Sequence, residues 1–328
     1  MDRKAGTLQA TSLWFQKPGR AVLRDEELAE VPEGWCLVES LFSAISPGTE
    51  RLVFLGGVPR EVFARMKHPY MGGEFSFPVK YGYSLVGRIV DGPDERIGQT
   101  VHVLHPHQDR CVVKSEDAFP VPDEVPPERA SLASSMETAV NAIWDSQAAI
   151  GECALVVGFG IIGSLVARLL ESMPGLKVTV TDIDSHKLTL AGKLGFEARQ
   201  PNDVSGSFDL AFHASGSPGG LQLALDRVGF EGRVVELSWY GTKKTALSLG
   251  GSFHPMRKKI LSSQVSSLPS RFRSNWDLKK RKSLVFDLLK NEAFDSHITH
   301  RFPFGGLPRV FEEFKTAHAP GLSYLVVY

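Results

Sequence analysis

The sequence predicts an α/β chain: a doubly wound parallel sheet joined to a separate β-rich region. Three observations predict it. The stretch Cys153–Asp184 reads as strand, glycine turn, helix, second strand and acid. The residues after it alternate strand-like and helix-like patterns. The first ~125 residues instead show short apolar runs between turn signals.

The central stretch carries the chemistry. Ala154–Val157 is a short apolar run suited to a buried strand. Gly158-Phe159-Gly160-Ile161-Ile162-Gly163 follows, a G-x-G-x-x-G turn. Helical apolar spacing runs through Leu165, Val166, Leu169 and Leu170 and closes at Pro174-Gly175. Val178–Val180 then leads to Asp182. In such a unit the first glycine allows the tight turn. The second lets a pyrophosphate approach the backbone, and the third lets helix pack on strand. The helix N-terminus offers free N–H groups and the positive dipole end to phosphates. The acid at that distance accepts hydrogen bonds from the adenosine ribose and repels a 2′-phosphate, which favours NAD over NADP. No Arg follows Asp182 directly. The stretch therefore reads as a Rossmann dinucleotide-binding unit.

Bulk properties narrow the class. With 328 residues the chain has room for about two domains. Hydrophobic residues make up 42% and charged residues 23%, an ordinary globular composition. Lys+Arg and Asp+Glu both number 37, so nothing supports a nucleic-acid or anionic-membrane partner. No apolar run approaches the ~20 residues of a membrane span. The N-terminus shows no signal-peptide core, so the expected location is cytoplasmic. Cys36, Cys111 and Cys153 form neither a CxxC pair nor a disulfide framework.

In chain order, strands are expected at Ser12–Phe15, Ala21–Leu23, Trp35–Ser46, Ser84–Val90, Thr100–Leu104 and Cys111–Lys114. Gly56–Pro78 is irregular, with a short helix at Arg60–Met66. Pro120–Pro127 reads as a linker, and Pro127–Ser146 as a helix. After Asp182 come a helix at Ser185–Leu194, a strand at Leu210–Ala214, a helix at Leu221–Val228, a strand at Arg233–Leu237 and a last apolar stretch at Ile260–Val265. Ligand loops are expected at strand C-termini: Gly158–Gly163, Asp182–Asp184, Ala214–Ser217 and Ser238–Gly241. The basic run Lys279–Lys282 is expected on a solvated helix face. Helices near Lys280–Leu289 and Leu307–Thr316 and a strand at Tyr324–Val327 close the chain.

This order of parts resembles the medium-chain dehydrogenase/reductase superfamily, the zinc-type alcohol dehydrogenases. The resemblance rests on Gly48-Thr49-Glu50, Gly82-Tyr83-Ser84-Leu85-Val86-Gly87, Thr138-Ala139-Val140, the fingerprint with Asp182, and Ala214-Ser215-Gly216-Ser217. It implies a GroES-like catalytic domain built from residues 1–129 and 269–328, around a Rossmann NAD-binding domain at 130–268. It also implies cofactor contacts from Thr138, Gly158, Phe159, Gly160, Ile161, Ile162, Gly163, Asp182, Ile183, Lys187, Ser215, Gly216 and Ser238. Family dimers pair the last Rossmann strand across the twofold. A homodimer or homotetramer is thus expected, with Ile260–Val265 in that role.

The departures bear on mechanism. Where a zinc enzyme of this family has its first Cys, the chain has Pro47. The zinc-ligand His position holds Tyr83. The third ligand position falls at Ser134 and Ser135, with Glu137 out of register. Only Val103–Arg110 stands where a four-cysteine structural-zinc lobe would sit. A catalytic zinc needs three protein ligands, so no metal is expected. The sequence most resembles the zinc-less branch that includes bacteriochlorophyllide-type hydroxyethyl dehydrogenases, through Ser46–Arg51 and Trp276-Asp277.

Without a metal, a hydrogen-bond donor must manage the substrate oxygen. Tyr83 is the first candidate; a phenol is a poor acid at its ordinary pKa of about 10, which a nearby cation would lower. Thr49 matches the family's relay hydroxyl, Glu50 is an acceptor in Tyr83's neighbourhood or the partner of an Arg, and His107 or His105 is a candidate acid. His213 is expected as a core histidine. The reading is an NAD(H)-dependent, zinc-independent alcohol dehydrogenase or ketone reductase acting on a small-molecule substrate. Quinone or enone reduction is one alternative, and a non-catalytic dinucleotide-binding protein another.

Overall fold

The computed structural model describes residues 8–315 and 321–328. The signal-peptide reading rests in part on residues 1–7, which lie outside this range, as does Thr316. The chain forms two compact units. One comprises the residues up to Ser134, a return that begins at Leu288, and Ser323–Tyr328; the other is built on Ser135–Asp287.

The first unit opens with a hairpin of β1 (Leu8–Lys17) and β2 (Arg20–Leu28). Its tight turn contains Gly19 at φ +71°, a conformation glycine adopts without strain. Then come β3 (Trp35–Ile45), helix α1 (Thr49–Phe54), and the irregular segment, whose helical part is one 3₁₀ turn followed by α2 (Phe63–Met66). Short strands β4 (Gly72–Gly73) and β5 (Val79–Lys80) extend the hairpin sheet. The strands β6 (Leu85–Asp91), β7 (Thr100–Val103), β8 (Arg110–Lys114) and β9 (Phe119–Pro120) follow. Alternating inward residues of β3, β6, β7 and β8 form a core of Cys36, Val38, Leu85, Ile89, Val101, Val103, Cys111 and Val113. Two of the three cysteines are thus core side chains, and all three are free thiols.

The expected Pro127–Ser146 helix is two helices, α3 (Pro127–Ala130) and α4 (Ala133–Ser146). The break has a local cause. The Ser131 carbonyl accepts the Ser84 hydroxyl at 2.6 Å, and the Ser131 hydroxyl bonds back to the Glu128 carbonyl. Such bonds compete with the helical pattern.

The second unit is a six-stranded sheet, all parallel, ordered β12-β11-β10-β13-β14-β15. Its elements in sequence are β10 (Cys153–Val157), α5 (Ile161–Glu171), β11 (Lys177–Thr181), α6 (Ser185–Lys193), β12 (Glu197–Arg199), β13 (Phe208–His213), α7 (Pro218–Arg227), β14 (Val228–Glu236), β15 (Lys259–Ser262) and α8 (Leu278–Leu289). In strand sequence this is the 3-2-1-4-5-6 order of dinucleotide-binding sheets. Ala154, Leu155, Val156 and Val157 are all buried, as a central parallel strand with both faces covered requires. The helix after the glycine turn begins at Ile161, earlier than its apolar spacing alone suggested.

One expectation fails in this unit. The run Lys279–Lys282 does not lie wholly on a solvated face. Arg281 and Lys282 are buried, and both pair with Glu137 of α4. Arg281 also donates to Asn141 Oδ1 at 2.9 Å. Burying two cations is tolerable because a carboxylate and hydrogen bonds meet them.

The return contributes β16 (Ile298–Pro303), α9 (Leu307–Glu313) and β17 (Ser323–Val327) to the first unit. The strand β16 was not expected. There β17 pairs antiparallel with β3, and Phe311 joins Phe15 and Phe54 in a three-ring cluster with centroids 4.8–5.4 Å apart. The C-terminal residues thereby complete the sheet that carries the first unit's polar cluster. Among the described residues, no helix is long and apolar enough to cross a membrane.

Candidate dinucleotide site and acid–base cluster

In the second unit the glycine turn joins β10 to α5. Gly158 adopts φ +98°, and a Cβ there would lie 2.7 Å from the Ser215 amide nitrogen. A Cβ on Gly163 would fall 1.9 Å from the Gly158 carbonyl oxygen, so only glycine lets the helix approach this closely. A Cβ on Gly160 would meet nothing within 4 Å. Gly160 is also the helix N-cap, with no side-chain cap on the first-turn amides. These features suit a pyrophosphate: open space in front of uncapped N–H groups.

Asp182 follows β11 and is partly buried. Its Oδ2 accepts the Phe159 amide at 2.7 Å and its Oδ1 the Asp184 amide at 2.9 Å. The carboxylate is thereby fixed against the glycine turn, while each oxygen keeps acceptor capacity for a ribose. Ile183 is 74% exposed beside it. Lys187 lies in α6, whose N-cap Asp184 accepts the His186 amide. The Phe159 side chain, by contrast, is fully buried and packs on Phe196. Ile161 is buried too, and Ile162 is partly so. These three can serve a ligand only through their backbone. Thr138 sits partly buried in α4.

The loops after β13 and β14 are tied together. The Ser238 hydroxyl accepts the Gly216 amide at 3.0 Å, and the Ser238 amide donates to Glu236 Oε1 at 2.7 Å. His213 is buried as expected, yet it is no apolar filler. Its two ring nitrogens meet Glu236 and Ser215.

In the first unit four expected residues, Thr49, Glu50, Tyr83 and His107, converge. The carboxylate of Glu50, in the first turn of α1, is fully buried. Its Oε1 accepts the Ser46 amide at 2.8 Å, and its Oε2 lies 2.9 Å from His107 Nε2. The His107 ring is buried as well. Its Nδ1 lies 2.7 Å from Ser43 Oγ, which in turn lies 2.9 Å from Tyr328 Oη. The Gln108 amide donates to that phenol. The relation of Ser43 and Tyr328 to His107 had no sequence signal, since they lie 64 and 221 residues from it. Gly82, at φ +135°, is required beside the ring, because a Cβ there would sit 2.9 Å from His107 Cδ2.

Tyr83 lies against this pair. Burial and the adjacent Glu50 carboxylate push its phenol up to about 12, while hydrogen bonds from Ser46 and Thr49 oppose the rise. The charged group among these neighbours is the Glu50 carboxylate. The phenol is thus a neutral hydrogen-bond donor at every ordinary pH. His105 is buried, and burial drives its imidazole down to about 3, so it is no acid near neutrality. Its Nδ1 lies 2.9 Å from the Pro106 carbonyl oxygen.

The positions where the family resemblance implies zinc ligands hold other chemistry. Pro47 offers no ligand atom. The Ser134 hydroxyl donates to the Tyr83 carbonyl at 2.8 Å. Among the described residues, no group of three or more His, Cys, Asp or Glu side chains is placed to hold a metal ion. This donor set does not fit a catalytic zinc.

No family model matches the chain. It is 26% identical over 293 residues to 2-desacetyl-2-hydroxyethyl bacteriochlorophyllide A dehydrogenase of Rhodobacter capsulatus, covering 84% of this chain and 85% of that one. Its fold matches acetophenone reductase from Geotrichum candidum in complex with NAD, with a TM-score of 0.77, 18% identity and 99% of each chain covered. It also matches a dehydrogenase structure from Sinorhizobium meliloti 1021 bound to NADP, with a TM-score of 0.77, 16% identity, and 98% and 100% of the two chains covered.

Proposed function

The chain is an oxidoreductase of the medium-chain dehydrogenase/reductase type, and from that premise we propose that it moves hydride between NAD(H) and a secondary alcohol or ketone without a catalytic zinc. The observation that carries this reading is Tyr83. A neutral phenol, bonded to two hydroxyls and backed by a buried carboxylate, stands at the position where the family resemblance implies a zinc ligand.

The dinucleotide, when bound, supplies or takes up hydride at its nicotinamide C4. The chain's own residues do the rest. The uncapped amides of α5 hold the pyrophosphate, and Asp182 holds the ribose and disfavours a 2′-phosphate. Ile183 offers an exposed apolar face to the adenine. Tyr83 donates a hydrogen bond to the substrate oxygen and stabilises the charge that grows on it. Thr49 and Ser46 orient the phenol. Glu50 keeps the Tyr83 proton in place, and His107 fixes Glu50.

The reading extends to assembly. The edge strand β15, with Ile260 37% exposed, supports pairing with a second copy, giving a homodimer or homotetramer. Cytoplasmic residence is part of the same proposal.

The test is NADH oxidation against a panel of ketones, then quinones and enones, each repeated with NADPH. Turnover with ketones and a clear preference for NADH support the proposal. Turnover with quinones or enones alone replaces it with the reductase alternative. Dinucleotide binding without any turnover replaces it with the non-catalytic one.

A further inference from the structure

The second unit carries another chemistry, on a loop packed against the glycine turn of the dinucleotide site. His213 ends β13 and is fully buried. Across the sheet it pairs in register with Glu236 of β14. His213 Nδ1 lies 2.9 Å from each Glu236 carboxylate oxygen. The carboxylate can only accept, so Nδ1 carries the proton. On the neutral ring Nε2 is then bare, and it accepts the Ser215 hydroxyl at 2.7 Å. Glu236 is itself held by the Ser238 amide at 2.7 Å and the Tyr240 hydroxyl at 3.2 Å. Ser215 is exposed. A reachable hydroxyl, a buried base and an orienting acid stand in line, the arrangement that activates a serine.

The surrounding backbone fits the same use. A Cβ on Gly220 would lie 2.3 Å from Ser215 Oγ and 2.9 Å from His213 Nε2, so glycine alone lets hydroxyl and ring meet. Gly220 is in the first turn of α7, whose N-cap Ser217 makes no side-chain cap. The first backbone bond into this turn is Leu221 N–H to the Ser217 carbonyl. The amides of Gly219 and Gly220 precede that bond in the first turn of α7, and the Ser217 amide donates to Ser215 Oγ at 3.3 Å; amides at such a turn are of the kind that stabilises an oxyanion.

We propose that Ser215 is a nucleophile that accepts the acyl group of small activated esters, with His213 as general base and Glu236 as its orienting partner. Ser215 Oγ bonds to the ester carbonyl carbon and passes its proton to His213 Nε2. The carbon–oxygen bond to the alcohol breaks, and that proton leaves with the alcohol. Water, deprotonated by His213, then attacks the acyl-serine, releases the carboxylic acid and restores the hydroxyl. Because Ser215 stands on an exposed loop, small acyl groups are the class it takes.

The test is labelling of the purified full-length protein with an alkyl fluorophosphonate, a reaction in which phosphorus bonds to the serine oxygen and fluoride leaves. Hydrolysis of p-nitrophenyl acetate is followed in parallel. The expected result is one phosphonyl group per chain, mapped by peptide mass to Ser215. Ser215→Ala, a change at an exposed position, removes the label and lowers ester hydrolysis at least tenfold. Glu236→Gln slows labelling at least tenfold while Ser215 remains present. Absence of label on Ser215 overturns the proposal, and so does an unchanged labelling rate in Glu236→Gln.

Discussion

Glu50 Oε2 and His107 Nε2 lie 2.9 Å apart, with both side chains closed off from solvent. The carboxylate can only accept, so His107 Nε2 carries the proton that faces it. On the neutral ring Nδ1 is then bare and accepts the Ser43 hydroxyl at 2.7 Å. Ser43 in turn meets the Tyr328 phenol at 2.9 Å. Two side chains, His107 and Ser43, are thus oriented toward the Glu50 carboxylate, which lies beside the Tyr83 phenol.

This ordering has a stability signature. Removing the donor to a buried carboxylate leaves that oxygen unmet, at a cost of about 3 kcal/mol. His107→Leu should lose about that much in urea unfolding. Tyr328→Phe removes one hydroxyl at the far end and should cost only about 1 kcal/mol. Equal losses in the two variants would contradict the arrangement.

Tyr83→Phe removes the proposed donor and keeps the ring. General acid catalysis contributes about 10²–10⁴-fold, so kcat should fall by at least about 10². The dissociation constant for NADH should stay within about twofold. Turnover equal to that of the parent protein would take Tyr83 out of the reaction.

The histidines predict an acid limb. His105 is held down to about 3 by burial, against an ordinary value near 6.5. The unfolded chain therefore binds a proton that the folded one refuses. Stability should fall as pH drops below 6.5, on the order of 1 kcal/mol per pH unit from this group. Tyr83 acts at the other end. Its folded pKa of about 12 exceeds the ordinary 10, so its contribution is complete below pH 10 and is lost as pH rises toward 12. Acid unfolding of His105→Gln, which cannot take the proton, should begin at lower pH than in the parent.

Asp182 should decide between the two nicotinamide dinucleotides. Asp182→Asn keeps an acceptor for a backbone amide but removes the charge. Binding titrations should show NADH weakened about tenfold and NADPH gaining relative to it, as expected when a carboxylate no longer repels a 2′-phosphate. An unchanged ratio would mean that selectivity lies elsewhere.

How much of this could be read from the sequence depends on the range of each interaction. The glycine turn, its strand, its helix and Asp182 are contiguous, and each residue type has a local reason to be there. Asp182's grip on the Phe159 amide follows from that same unit. Tyr83 is legible as a position that departs from a family pattern, while the effect of its surroundings is not. The charged neighbour it meets is Glu50, which arrives through the turn into α1. The burial of Arg281 and Lys282 was hidden for a related reason. A run of four basic residues looks solvated until a distant carboxylate, Glu137, is brought beside it. The Ser43–Tyr328 bond depends on β17 returning to pair with β3, a long-range contact that no local pattern encodes.

The central claim is hydride transfer from NADH to a ketone, managed by a phenol in place of a metal. Its most direct measurement uses NADH deuterated at the nicotinamide C4, a panel of ketones, and protein exhaustively treated with a chelator. The account predicts a secondary alcohol carrying deuterium on its carbinol carbon, formed at the same rate before and after chelation. Loss of turnover with removal of one zinc per chain, or the absence of deuterium from every alcohol, would contradict it.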